Sequence, residues 1–135
     1  MSGRLLDTNI VIAFFANDKV VEEAVARVKP VSVPAIVLGE LYSGARKSGR
    51  VEQNLTRIDE FAAGVKVLSC DIETARQYGV IRQALRVKGR PIPEHDVWIA
   101  AVAVQHDLTL VTRDVHFSNI DGLQVEVWYQ SFLQT

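Results

Sequence analysis

The sequence predicts an α/β domain built on a mostly parallel sheet, and three observations carry that prediction. Short apolar, β-rich runs alternate with helical patterns from one end of the chain to the other. The run "DVWIAAVAVQHD" is apolar nearly all round, as a helix buried against a sheet must be. Two predicted strands, in "RLLDTN" and "LTLVTRD", stop on an aspartate about a hundred residues apart. In parallel sheets ligands bind beyond the carboxyl ends of the strands, so these two acids can face one crevice.

The elements follow in order. "GRLL" is a strand, and "DTNIVIAFFAN" opens with cap-type residues and then turns apolar. "DKVVEEAVARV" carries Val20, Val21, Ala24, Val25 and Val28 at helical spacing. "PVSVP" is a brief extended piece. "AIVLGELYSGARKSG" reads as a helix ended by Gly49, and "RVEQNLTRIDEFAAG" as one ended by Gly64. "VKVLS" is a strand. "DIETARQYGVIRQALRVKG" is a long helix with Ile72, Ala75, Tyr78, Ile81 and Leu85 on one side. "RPIPEH" is a loop that brings Glu94 and His95 up to Asp96, where the buried helix starts. "LTLVT" is a strand, "RDVHFSNIDG" a loop or single turn, and "LQVEVW" the last strand.

A chain of 135 residues, 48% hydrophobic and 23% charged, fits one domain over residues 1–135 with a sizeable core. Its single cysteine, Cys70, is read as a small hydrophobe at a strand end. There is no signal peptide pattern and no run long enough to span a membrane, so a cytoplasmic protein is expected. A net charge of −1 gives no global attraction to nucleic acid, unless clustered carboxylates are neutralised by cations.

Four acids stand out. Asp7 can be a helix N-cap, Asp114 a turn residue, and Asp96 a first-turn acid favoured by the helix dipole. Glu40 fits a bland role less well: on a helix it sits between Ile36 and Val37 on one side and Ser43 and Gly44 on the other. Two unscreened carboxylates about 4 Å apart repel by about 4 kcal/mol at an effective dielectric near 20. A cluster of four therefore calls for a cation, and hard oxygen donors favour Mg²⁺ or Mn²⁺. His95, His106 and His116 form no HExxH pair, which counts against a zinc hydrolase. No G-x-S-x-G elbow and no glycine-rich nucleotide loop is present.

The series "LLDTNIVI", "VLGELYSGA" and "IPEHDVWIAAVAVQHDLTLVTRDVHFSNIDGLQVEVW" resembles the PIN-domain ribonucleases, and within them the VapC toxins of bacterial VapBC toxin–antitoxin systems. The resemblance spans essentially the whole chain. It implies a three-layer α/β/α sandwich, an acidic pocket for Mg²⁺ or Mn²⁺, and endonucleolytic cleavage of RNA. Carried over by position, the acidic tetrad falls on Asp7, Glu40, Asp96 and Asp114, with Asp7 and Asp96 as direct metal ligands. Asn9 and Thr112 would orient acids or water, and Glu94 is an additional acid in the matching loop. The resemblance also implies a homodimer and a VapB-like antitoxin whose C-terminal segment occludes the acidic groove.

Basic residues then form a candidate RNA rim: Arg46, Lys47 and Arg50 after the Glu40 helix, Arg82 and Arg86 four apart, and Arg113 and His116 beside Asp114. The rival readings are a catalytically silent PIN module that binds RNA or protein, and a phosphorylation-controlled receiver domain. The intact tetrad argues against the first. The second expects paired acids after its first strand and a lysine after its last core strand, where this chain has "LLDTN" and "LVTRD".

Overall fold

The computed structural model describes residues 3–129. Five short strands form one all-parallel sheet: β1 (Arg4–Leu6), β2 (Val31–Pro34), β3 (Lys66–Leu68), β4 (Thr109–Thr112) and β5 (Val125–Val127). Their spatial order is β3-β2-β1-β4-β5. Six helices connect them: α1 (Thr8–Phe15), α2 (Lys19–Val28), α3 (Ala35–Arg46), α4 (Val51–Ala63), α5 (Ile72–Lys88) and α6 (Glu94–Gln105). A 3-10 turn, Val115–Asn119, joins β4 to β5.

From β1 the chain steps outward to β2 and β3, then returns to lay β4 on the other side of β1. The strand order therefore reverses between β1 and β4, and the crevice opens there. Right-handed crossovers put α1–α4 over one face and α5–α6 over the other, giving the α/β/α layering expected. The three central strands, β1, β2 and β4, are buried on both faces: Leu5, Leu6, Val33, Leu110 and Val111 are closed to solvent. Helix α6 buries Val97 and the run Ile99 to Ala103. Its alanines let it lie close against the elements around it.

Caps fix where the helices start. Asp7 and Asp18 are the N-caps of α1 and α2, as their residue types predict. Asp71 starts α5 with a reciprocal capping box: its Oδ1 accepts from Thr74 N (3.1 Å), and its own N–H donates to Thr74 Oγ1 (2.9 Å). Gly89 ends α5 at φ +67°, a left-handed turn that favours glycine.

Four expectations are corrected. Helix α3 ends at Arg46 with Lys47 as its cap, not at Gly49. Helix α6 begins at Glu94 behind Pro93, so Glu94 and His95 are helical and Asp96 is its third residue. Cys70 is exposed rather than packed. The buried side of α5 is Thr74, Ile81 and Leu85, with Tyr78 partly covered, whereas Ile72 and Ala75 face solvent. The cause is the cap: the box turns Thr74 inward, where its hydroxyl also meets Gln105 of α6.

The hydrogen bond from Thr74 N, with lesser help from Gln105, holds the Asp71 carboxyl below its ordinary range. A depressed folded-state pKa stabilises the protein above the unfolded value, and that stability is lost as pH falls through the folded one. Asp71→Asn keeps a capping oxygen but cannot titrate. Its acid-unfolding curve should be flatter than the wild type's below about pH 4. Superimposable curves would contradict this role.

Candidate active site

The ladder between β1 and β4 sets the site. Leu5 pairs with Leu110 and Leu6 with Val111, and Asp7 N donates to Val111 O (2.9 Å). One residue on, Asp7 is thereby brought beside Thr112, and the chain delivers Asp114 just past the same strand end. Thr112 Oγ1 donates to Asp7 Oδ2 (2.7 Å) while accepting from Asp114 N (3.0 Å). Asp7 Oδ1 accepts from Thr8 N (2.7 Å). The Asp7 side chain is thus a helix cap and a crevice acid at once. Only 3% of Asp7 is exposed. Burial pushes its carboxyl pKa up, the bonds from Thr112 and Thr8 oppose this, and the charges of Asp96 and Asp114 add to the rise.

Helix α6 supplies the second buried acid. Pro93 lacks an N–H and can only begin the helix; the first turn then points Asp96 into the crevice, 5% exposed. Burial raises its pKa too, opposed by His95 and His116. His116 Nε2 lies 3.0 Å from Asp96 Oδ2, and His95 Nε2 lies 3.2 Å from Asp96 Oδ1. The same His95 nitrogen is 3.1 Å from Glu40 Oε2. Because that nitrogen meets only carboxylate oxygens, it carries the proton and bridges the two acids.

Glu40 enters from α3. Its Oε1 accepts from the Thr8 hydroxyl (2.5 Å), so residues on α1 and α6 hold its two oxygens. Its place between an apolar and a small pair keeps it half-buried. Asp114 is exposed and is reached by Asn9 Nδ2 (3.4 Å), while Asn9 Oδ1 accepts from Arg113 N (3.3 Å). Asn9 thus ties the Asp114 loop back to α1.

Asp7 feels the charges of Asp96 and Asp114, Glu40 is joined to Asp96 through His95, and the donor atoms of Asp96, Asp114 and His116 lie within 4.8 Å of one another. Oxygen donors, one imidazole and uncompensated negative charge suit a divalent cation. Sequence reasoning did not foresee the part played by the histidines. It looked for a histidine pair in one helix, whereas His95 and His116 approach Asp96 from two different elements. Thr8 was likewise visible only as a cap-type residue.

The basic residues fare differently from one another. Arg46, Lys47 and Arg50 are exposed. Arg82 is engaged with Glu94 and Tyr78 on the outer side of the α5–α6 pair. Arg113 is mostly buried: it donates to Asp18 Oδ2 (2.8 Å) and to Trp128 O (3.0 Å), tying the start of α2 to the end of β5. Removing one partner of a mostly buried pair costs more than the roughly 0–1 kcal/mol of a surface bridge. Arg113→Ala should therefore lower stability by about 1–3 kcal/mol in denaturant unfolding. An unchanged midpoint would show that the pair is dispensable.

Comparison with known proteins identifies the family of this fold. A PIN domain family model matches residues 4–123. The chain is 35% identical over 127 residues to the tRNA(fMet)-specific endonuclease VapC of Shigella flexneri, covering 92% of this chain and 96% of that one. It is 32% identical over 131 residues to ribonuclease VapC2 of Rickettsia felis, with the same coverage. Among solved structures, the DNA-bound VapBC of Salmonella typhimurium superposes with a TM-score of 0.88 at 31% identity, covering 96% of this chain and 100% of that one. With that match over nearly its whole length, and with its acids gathered where the strand order reverses, the chain belongs to the PIN-domain family, among the VapC ribonucleases.

Proposed function

We propose that this protein is the toxin of a type II toxin–antitoxin pair, an endoribonuclease that cuts RNA with a divalent cation held by its acidic crevice. The observation that carries the reading is the convergence of Asp7, Glu40, Asp96 and Asp114 at the β1/β4 switch point, two of them buried. Asp7, Asp96 and Asp114 would hold the metal, with Glu40 completing the site. Mg²⁺ is the first candidate, with Mn²⁺ as substitute. The nitrogen of His116 beside Asp96 and Asp114 makes Mn²⁺ well suited. A cation bound there lowers the pKa of a bound water and offsets charge on the phosphate.

The chain's own residues do the rest. Thr112 and Thr8 fix the two oxygens of Asp7, so its carboxylate presents its remaining lone pairs in one orientation. Thr8 and His95 hold Glu40 beside Asp96, where it can accept the proton of an attacking water. Asn9 restrains Asp114. Arg46 and Lys47, at the end of α3, are free to grip phosphates, and Arg86 extends the basic rim. The substrate is an RNA held by its shape and phosphates, and initiator tRNA is the first to try.

A cognate VapB-like antitoxin would cover the crevice. An apolar groove of about 250 Å³ between α1, α3 and α4, lined by Ile12, Phe15, Leu41 and Ile58, runs up to Glu40. A partner segment seated there can place a basic side chain among the acids, competing with the cation. The protein works as a homodimer in the cytoplasm. No helix among the described residues is long and apolar enough to cross a membrane.

Cleavage of labelled RNA should require Mg²⁺ or Mn²⁺ and stop on addition of EDTA. Undiminished cutting after chelation and dialysis would reject the metal mechanism. A pure protein that binds RNA and never cuts it with either ion would instead favour a silent module.

A further inference from the structure

Residues 81–90, IRQALRVKGR, carry four cations and no acid on a chain whose net charge is −1. Two of these cations, Arg82 and Arg86, lie one helical turn apart on α5 and rim a cavity of about 240 Å³ where α5 hands over to α6. Its floor is apolar: Leu85 and Val97 are buried, and Ile92 is partly covered. Gly89 and Pro91 close its end, where α5 stops at φ +67° and Arg90 N donates back to Leu85 O (3.0 Å). Val97 follows Asp96 on α6, so the cavity lies on the order of 10 Å, one helix diameter, from the acidic crevice.

The two arginines are held differently. Arg82 donates to Glu94 Oε1 and to the Tyr78 hydroxyl (3.3 Å), and that hydroxyl donates to Glu94 Oε2 (2.7 Å). The Tyr78 ring in turn stacks on Trp98, with centroids 4.2 Å apart. One guanidinium is thereby fixed at the rim. Arg86 makes an exposed bond to Gln83 of its own helix (3.2 Å), which exchanges readily and lets it swing over the cavity. Glu94 is taken up by Arg82 and Tyr78, so the side chains lining the cavity present hydrogen-bond donors and apolar surface.

We propose that this cavity holds one unpaired base of the RNA substrate, flanking the cut, and that guanine fits it best. An apolar floor suits the face of a base and would strip a phosphate of its water without return. A volume below the roughly 300–1,000 Å³ of drug-sized sites takes a single planar group. Unpaired RNA bases are gripped by stacking on guanidinium planes and by hydrogen bonds to their edges. Arg82 supplies the fixed plane and Arg86 the edge contact. Guanine offers a guanidinium two adjacent acceptors, O6 and N7, whereas adenine sets an amino donor beside N7. The proposal rests on the RNA cleavage of the preceding reading and names a base that the site selects.

Two readouts on the full-length protein keep these claims apart. In EDTA, fluorescence anisotropy measures binding without cleavage. A short RNA with one guanine among uridines should bind at least about fivefold tighter than the same RNA with adenine there. With Mg²⁺, the ends of a randomised RNA cut by wild type should show guanine enriched at one position flanking the cut. Arg86→Gln, whose amide pairs with adenine, should abolish both preferences or turn them toward adenine, with circular dichroism unchanged. Cleavage with no base preference, or a preference that survives Arg86→Gln, would overturn the pocket and leave the nuclease standing. Equal weakening of both RNAs in Arg86→Gln, with a shallower salt dependence, would make Arg86 a phosphate contact and also overturn it. A protein that cuts no RNA, yet shows in EDTA a guanine preference that Arg86→Gln removes, would sink the nuclease reading and retain the pocket. Absence of any preference in both readouts would overturn the pocket outright.

Discussion

Asp7→Asn should abolish RNA cleavage while the fold survives. Asparagine caps helices about as well as aspartate, so α1 keeps its start, and the amide oxygen can still accept from Thr8 N. What disappears is the negative charge facing Asp96 and Asp114. Loss of that charge relieves repulsion worth on the order of 1 kcal/mol. The gain is offset at Thr112. Its hydroxyl already accepts from Asp114 N and Asn9 Nδ2, so its proton points at Asp7 Oδ2. An amide NH₂ there cannot accept it, which costs about 1 kcal/mol. Without added metal, the variant's stability should therefore stay within about 1 kcal/mol of wild type. Asp7→Ala, which loses cap and acceptor together, should fall by about 1–3 kcal/mol. Chemical unfolding in EDTA measures both. Normal cleavage by Asp7→Asn would reduce Asp7 to a cap.

Asp96→Ala carries the second large effect. Asp96 is the acid both histidines address, and the one shared by the candidate donor cluster and the α6 first turn. Changing the partners of a metal ligand alone costs 10–100-fold, so removing a ligand should lower cleavage by more than about 100-fold. Growth arrest on expression should vanish with it. Antitoxin binding should remain measurable, since the apolar groove beside Glu40 is untouched. A soluble Asp96→Ala protein that still arrests growth would make Asp96 an ordinary first-turn acid.

How much of this was legible in the sequence depended on the range of the signal. The strand-end aspartates, the Asp7 cap and the largely apolar α6 are local patterns, and each was readable. The family motifs then assembled Asp7, Glu40, Asp96 and Asp114 into one set, which spacing alone left as four weak signals. Arg113 was misleading because its partner Asp18 lies 95 residues away, so an isolated arginine beside an acid looked like part of a rim. Helix α5 shows a different limit. It carries apolar residues on more than one side, and periodicity cannot say which is buried; the Asp71–Thr74 box decides it, leaving Ile72 outside. His95 and His116 were hidden because Asp96 is joined to them by the fold rather than by sequence spacing.

Direct titration of Mn²⁺ into the chelator-treated protein, alongside Asp7→Asn and Asp96→Asn, tests the central claim most directly. Binding should be saturable in wild type and weakened at least about tenfold in each variant, with a thermal shift that shrinks in proportion. Wild-type protein that cuts RNA but binds no Mn²⁺ or Mg²⁺, or variants that bind as tightly as wild type, would contradict an acidic metal site at the end of β1 and β4.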